Sequence, residues 1–343
     1  MSHVSDLQLE DIPGVQPHLI SKLRQAGIQS VLDLAVSVPQ ELAAGGEGII
    51  ISADTEVISE LVVKAKKTLI DSGALVKEFS TADQVLERRK SLVRFTTGSK
   101  NLDDFLEGGV ESQAITELAG EFGSGKSQIC HALCVTAAKG TRGQINSIIF
   151  VDTENTFRPE RIHQIAEARG LDSEEIMKKV FVCKIVNSVQ LEALIRNLGK
   201  AIEEYKAKLV IVDSIISLHR AEYTGRETLA DRQQRLNIML HKLLRLAEIY
   251  NVAVVLTNQV QSSPDSIFGG SNCLRASGGN IIGHACTYRI FLRKIGQDRL
   301  AIMVDSPHHA YDQVKFTISE KGVEDAKEKK MAATTLEGNE SGW

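Results

Sequence analysis

Residues 120 to 127 read Gly-Glu-Phe-Gly-Ser-Gly-Lys-Ser, and no other stretch of the chain restricts the fold as tightly. A G-x-x-x-x-G-K-S octet works as a phosphate loop only between a strand and a helix, because a helix N-terminus and the loop's backbone N–H groups must converge on one anion. The flanking sequence meets that condition. Residues 114–119 form an apolar run of strand length, and 128–138 place Ile129, Leu133 and Val135 at helical spacing. The glycines of the octet let backbone N–H groups close around phosphate oxygens. Lys126 supplies a compact charge toward the β- and γ-phosphates, and Ser127 a hydroxyl for Mg²⁺. The octet therefore predicts an α/β core built around a nucleotide-phosphate site.

The remaining pattern agrees with that class. From about residue 91, the short apolar runs 147–152, 180–185, 209–213 and 252–257 alternate with helical stretches such as 190–205 and 232–250. Such alternation predicts a mainly parallel sheet with helices on its faces. Runs at 287–294, 300–305 and 314–318 lack helices between them and are expected to pair antiparallel at one end of the sheet. Residues 1–72 differ in character. Asp11-Ile12-Pro13-Gly14-Val15 reads as a turn, Leu19, Ile20 and Leu23 as the apolar face of a helix stopped by Gly27, and Ser30 as the cap of a second helix over 31–38. This region resembles a helix-hairpin-helix module, with Gln16 where such hairpins usually carry a second glycine; a small helical adaptor is the other reading. Residues 73–90 form a polar connector holding Phe79-Ser80-Thr81-Ala82 and the charged run Glu87-Arg88-Arg89-Lys90, residues 91–325 the α/β core, and 326–343 a polar tail.

Forty basic against forty-four acidic residues give a formal charge of −4, so any nucleic-acid contact must be local rather than global. Five cysteines, an odd number partly set in apolar patterns, argue for a reducing compartment over a disulfide framework. Cys130, His131 and Cys134 share one helix and read as core packing. With no secretory signal and no apolar run long enough to span a bilayer, the chain is expected in the cytoplasm, nucleoid-associated if it works on DNA, and away from membranes.

Hydrolysis needs more than a phosphate loop: a second acid for the metal, and a group that positions or activates water. Leu209-Val210-Ile211-Val212-Asp213 ends an apolar strand in a carboxylate, at the edge where open parallel sheets bind ligands, so Asp213 suits the outer sphere of Mg²⁺. Glu154 follows the strand ending Phe150-Val151-Asp152 and would emerge at the same edge, able to orient or deprotonate water. Thr257-Asn258-Gln259 closes a third strand with two amides, suited to sensing a γ-phosphate. Two segments follow as candidate loops. One, about 260–280, is rich in Ser, Gly and Asn with a single Phe268; the other, 220–234, carries Arg220, Arg226 and Arg232, nearly balanced by Glu222, Glu227 and Asp231.

Taken together, GEFGSGKSQ at 120–128, VDTENTFRPER at 151–161, LVIVDS at 209–214, AEYTGRETLADRQQ at 221–234, LTNQV at 256–260, GGNIIGHA at 278–285 and VDSP at 304–307 resemble the archaeal RadA recombinases. The resemblance covers the chain from the hairpin module to about residue 325. It implies a RecA-like P-loop ATPase core that assembles on single-stranded DNA as a helical filament, pairs it with homologous double-stranded DNA, and holds ATP and Mg²⁺ between neighbouring subunits. Carried over residue by residue, it makes Gly120, Glu121, Phe122, Gly123, Ser124, Gly125, Lys126, Ser127 and Gln128 the nucleotide cradle, with Arg158 beside adenine. Lys126, Glu154 and Gln259 become the catalytic set, and Ser127 and Asp213 the metal set. Arg226, Arg232, Phe268, Gly278 and Gly279 fall in the two DNA loops. His284, Asp305, Ser306 and Pro307 match positions that approach ATP from the adjacent subunit, and Phe79 and Ala82 an F-x-x-A motif whose aromatic enters the next protomer. Recombination mediators are further partners of such a protein. The chain departs from the family in two places: Ser127 stands where many relatives have Thr, and His308-His309-Ala310-Tyr311-Asp312 replaces a Leu-Pro-Glu-Gly-Glu-like stretch. Ring-forming helicases and circadian-type RecA-like ATPases share the nucleotide motifs but not the F-x-x-A connector or the paired loops. A non-hydrolysing accessory protein would not need Lys126, Glu154 and Asp213 together.

Overall fold

A computed structural model describes residues 7–26, 28–35, 37, 39, 42, 55–72, 79–140, 145–223, 225, 228–262, 274–276, 282–283 and 285–327. Its N-terminal part is helical. A 3-10 turn at Leu9–Asp11 leads through Pro13 and Gly14, whose φ of +76° only glycine adopts easily, into α1 (Pro17–Gln25), followed by α2 (Val31–Ala35) and α3 (Thr55–Asp71). Helix α2 is shorter than the 31–38 expected from the sequence. Leu9, Leu23, Leu34, Ile58 and Leu69 are fully buried in a small core of their own, against which Ile249 and Tyr250 of the large unit also pack.

The connector contains a helix that its polar composition hid. Helix α4 (Ala82–Arg89) starts in a capping box, Thr81 Oγ1 accepting from Gln84 N while Gln84 Oε1 accepts from Thr81 N. Its last turn is anchored to the large unit: Arg89 lies 2.9 Å and Arg94 2.6 Å from the buried carboxylate of Glu111, which also accepts from Tyr288 Oη at 3.0 Å.

Two short strands, β1 (Arg94–Phe95) and β2 (Val110–Glu111), pair antiparallel around α5 (Lys100–Phe105). The main sheet then takes shape from β3 (Ile115–Gly120), α6 (Lys126–Thr136), β4 (Ser147–Asp152), α7 (Pro159–Ala168), α8 (Ser173–Met177), β5 (Val180–Lys184), α9 (Ser188–Tyr205), β6 (Ala207–Asp213), α10 (Ser217–Glu222), α11 (Leu229–Tyr250) and β7 (Ala253–Ser262). It is completed by β8 (Leu274–Ala276), β9 (Tyr288–Ile295), β10 (Asp298–Asp305), β11 (Gln313–Ser319) and β12 (Gly322–Asp325). Among the described residues these form one ten-stranded sheet in the order β12-β11-β10-β9-β3-β7-β6-β4-β5, with β8 paired to β7. Strands β9, β3, β7, β6, β4 and β5 run parallel, and β10 to β12 extend one end antiparallel, as the missing helices between those runs predicted.

The central strands read as unbroken apolar runs because both faces are covered. Ile148, Phe150, Leu209, Ile211 and Val255 point into the core under α6 and α7, while Ile149, Val151, Val210, Val212, Val254 and Leu256 point into the core under α9 and α11. One charge interrupts the pattern. Glu117, in the middle of β3, is 0% exposed, and its carboxylate takes Arg289 Nε at 2.7 Å and Asn258 Nδ2 at 2.7 Å. The segment expected as a single long loop over 260–280 is partly a hairpin, since Val260–Ser262 pairs with Leu274–Ala276.

Candidate active site

Parallel register decides which side chains meet. Gly120 lies beside Gln259, Leu118 beside Thr257, and Asp152 beside Asp213, so the ends of β3, β7, β6 and β4 bring the phosphate loop, both amides and both acids to one edge of the sheet. Helix α6 leaves the loop at Gly125, whose φ of +105° suits glycine and which gives the helix no side-chain cap, so the first-turn N–H groups point into the loop. A Cβ at Gly120 would stand 2.5 Å from Leu292 O and 2.6 Å from Ser124 Oγ, which closes this position to any other residue. Ser124 Oγ itself is buried with no hydrogen-bond partner among the described residues. Lys126 Nζ donates to Gly120 O at 2.8 Å and Glu121 O at 2.9 Å, curling over the loop. Burial pushes its pKa down, opposed by the carboxylates of Asp213 and Glu154. A cationic side chain, a helix N-terminus and a glycine-lined turn fit a polyphosphate. Ser127 and the buried Asp213 offer oxygen to a hard cation, as Mg²⁺ requires. Glu121, Phe122 and Gly123 are exposed at the tip of the loop, and Gln128 Oε1 accepts from Arg161 Nε at 2.9 Å.

Residues that the sequence reading passed over hold the acids in place. Asp152 Oδ1 accepts from the N–H groups of Glu154 at 3.2 Å and Thr156 at 3.0 Å, and Oδ2 from that of Phe157 at 3.2 Å, folding the turn that carries Glu154. Thr153 and Ser214 exchange hydrogen bonds of 2.8 Å in both directions, joining the ends of β4 and β6 across the cis Asp213–Ser214 peptide. Asp213 accepts from Thr257 Oγ1 and, at 3.1 Å, from Thr156 Oγ1. The half-buried Glu154 accepts from Ser214 Oγ at 2.9 Å and Gln259 Nε2 at 3.0 Å, both on Oε1, and Gln259 Oε1 in turn accepts from Arg220 Nη1 at 3.3 Å. Glu154 is thus a fixed member of a hydrogen-bonded line rather than a solvated loop acid.

His131 is the largest surprise. It is buried, as a core residue should be, yet both ring nitrogens are used: Arg158 N–H donates to Nε2 at 3.1 Å, so the Nδ1 proton is the one directed at Ser127 O, 2.6 Å away. The ring stacks on Phe157 with centroids 5.6 Å apart. Burial holds its pKa below the ordinary histidine value, which keeps this tautomer neutral. His131 thereby links the phosphate loop to Arg158, which caps α7 and turns its exposed guanidinium back to Asn155 O and Phe157 O at 3.1 and 2.7 Å. Its helix neighbours Cys130 and Cys134 are buried in the core.

Arg232 sits half-buried in the first turn of α11; Asp305 is the last residue of β10, and Ser306 and Pro307 come directly after it. Phe79 and Ala82 are exposed at the start of α4. Glu222, counted in the sequence against the loop arginines, accepts from Ser188 N at 2.8 Å and from Ser188 Oγ, which ties the end of α10 to the start of α9. Arg226, Phe268, Gly278, Gly279 and His284 lie outside the described residues. Among the described residues no helix is long and apolar enough to cross a membrane.

The sequence model of the Rad51 family matches residues 88–326. A DNA repair and recombination protein RadA from Cenarchaeum symbiosum (strain A) is 44% identical over 329 residues, spanning 95% of this chain and 81% of that protein.

Proposed function

Since the chain belongs to the Rad51 family, we propose that it is a DNA-dependent ATPase of recombinational repair, one that forms filaments on single-stranded DNA and pairs and exchanges homologous strands. The observation that carries the catalytic part is the line Arg220–Gln259–Glu154–Ser214 beside the phosphate loop. Both hydrogen bonds to Glu154 fall on Oε1, which leaves Oε2 as the oxygen to orient a water and take its proton. Lys126 exchanges its two loop carbonyls for phosphate oxygens of ATP, and the N–H groups at the start of α6 bind the same oxygens. Mg²⁺, when bound, neutralises phosphate charge; Ser127 is the hydroxyl placed to touch it, and Asp213, steadied by Thr156 and Thr257, the acid placed to hold its water shell. Gln259 then has two tasks. Through Nε2 it holds Glu154, and through Oε1 it holds Arg220, so a change in its amide reaches the roots of both candidate DNA loops, α10 on one side and the β7–β8 hairpin on the other.

The remaining assignments belong to the same proposal. Arg226, Arg232, Phe268, Gly278 and Gly279 contact DNA, and His284 with Asp305-Ser306-Pro307 meets the ATP of a neighbouring subunit. Phe79 and Ala82 join protomers, with the helical unit ending near residue 72 and the connector near 90. The test is ATP turnover with and without single-stranded DNA, with electron microscopy of the same samples. Stimulated turnover on helical filaments is expected; rings without stimulation, or no turnover at all, would overturn it.

A further inference from the structure

The segment after Pro307 is one of the two places where this chain departs from the family pattern, and its two histidines do not hang free. His308 Nε2 lies 3.4 Å from Glu107 Oε2, in the turn that follows α5. The ring of His309 is 4.2 Å from that of His308, centroid to centroid, and Tyr288 stands edge-on to both. One ligand atom from each of Glu107, His308 and His309 can be chosen so that all three lie within 4.8 Å of one another. Tetrahedral coordination by imidazole nitrogen and carboxylate oxygen needs about 3.4 Å between ligand atoms, given bonds of about 2.0 to 2.1 Å. The Glu107–His308 pair is already at that spacing.

A second observation points the same way. His309 Nε2 is buried with no hydrogen-bond partner among the described residues, while its Nδ1 is 2.8 Å from Ser306 Oγ. A buried imidazole nitrogen left without a partner is costly, unless something takes its lone pair. Ser306 Oγ also accepts from the backbone N–H groups of His308 at 3.3 Å and His309 at 3.1 Å, and a metal at Nε2 selects the tautomer whose Nδ1–H faces this oxygen, the arrangement of metal-bound histidines whose second nitrogen is held by an oxygen. Desolvation and the neighbouring His308 also keep the His309 pKa below its ordinary value.

We propose that Glu107, His308 and His309 form a binding site for a borderline divalent transition-metal ion of the Zn²⁺ class, separate from the Mg²⁺ of the nucleotide site. Two imidazoles and one carboxylate suit Zn²⁺, Co²⁺ or Ni²⁺ and not Mg²⁺, which takes oxygen ligands and dehydrates reluctantly. The fourth position stays with water, since Glu107 and His308 face solvent. An ion held there ties the chain just beyond Asp305-Ser306-Pro307 to the turn after α5, bracing a segment that no secondary structure holds.

The test uses the full chain stripped of metal and titrated with Co²⁺, read by visible absorption, followed by displacement with Zn²⁺ in the presence of excess Mg²⁺. One equivalent should bind to give the spectrum of a nitrogen- and oxygen-ligated ion, with no sulfur charge-transfer band, and Mg²⁺ should not displace it. His309→Ala should weaken binding by at least about 100-fold and Ser306→Ala by about 10- to 100-fold, the range for losing a ligand or its orienting partner. Because Glu107 and His308 are exposed, Glu107→Gln and His308→Ala keep the fold and should show the same loss. The proposal is overturned if the parent binds no stoichiometric Co²⁺ or Zn²⁺, or if binding persists at parental affinity in Glu107→Gln and His308→Ala. Neither readout involves ATP, DNA or assembly, so failure here leaves the recombinase reading standing.

Discussion

Replacing Phe79 by Glu separates assembly from folding with unusual clarity. The side chain is 92% exposed, so it contributes next to nothing to the protomer's core, and surface substitutions of this kind shift stability by no more than about 0.5 kcal/mol. Its position is nevertheless fixed, because the capping box of Thr81 and Gln84 starts α4 three residues later and Arg89 clamps the end of that helix to Glu111. Burying a Phe in a neighbour contributes about 1.5 to 3 kcal/mol, which corresponds to about 10- to 150-fold in each junction's association constant. A filament repeats the junction at every subunit, so the loss compounds along its length. Light scattering and electron microscopy on single-stranded DNA should therefore show short or no filaments for Phe79→Glu. The dissociated protomer should keep the parental melting transition, and DNA-stimulated turnover should fall because each ATP would lack its neighbour's residues. Filaments of parental length would refute the interface role; a protomer that melts far below the parent would refute the claim that Phe79 carries no folding energy.

Arg289→Met should strand the buried Glu117 carboxylate with Asn258 alone and cost about 3 to 5 kcal/mol, read as a lower denaturant midpoint, with Glu117→Gln/Arg289→Met recovering part of it; a change under about 1 kcal/mol would contradict the pairing. The lowered pKa of His131 means that below about pH 6.5 the unfolded chain takes a proton that the folded one refuses, so stability should fall as pH drops through that value toward the folded pKa. His131→Gln should flatten this acid slope relative to the parent, and an identical slope in both would remove His131 as its source. Alanine at Arg226 and Arg232 should weaken single-strand binding equally for all sequences and reduce its salt dependence, with ATP affinity unmoved; an unchanged salt slope in the double variant would take this loop out of the DNA site.

The sequence carried the site's outline because each element there obeys a local rule. The parallel strands β4, β6 and β7 are apolar without alternation since both faces are covered, and the acids stand where a parallel sheet opens to ligands, Asp213 as the last residue of β6 and Glu154 just past β4. What escaped depends on partners distant in the chain. Glu117 reads as an oddity in an apolar run, because Asn258 and Arg289 lie 141 and 172 residues away. His131 was legible as a core residue but not as the link between Ser127 and Arg158, since only the fold places its second nitrogen beside a backbone N–H. Asp152 left a readable trace, a strand-end carboxylate before Thr-Glu-Asn-Thr, which is the composition of a turn folded on an aspartate side chain. Strand β12 and helix α4 are too short and too polar for periodicity to single out.

The central claim is that Glu154, held through Oε1, activates water at a nucleotide bound by Lys126. The measurement that tests it is ATP binding and ATP turnover on single-stranded DNA, made side by side for Lys126→Ala and Glu154→Gln. Lys126→Ala should lose productive binding, whereas Glu154→Gln should still bind ATP and still form filaments while turnover falls by about 10² to 10⁴-fold, the contribution of a positioned base. Turnover by Glu154→Gln at the parental rate would contradict the account.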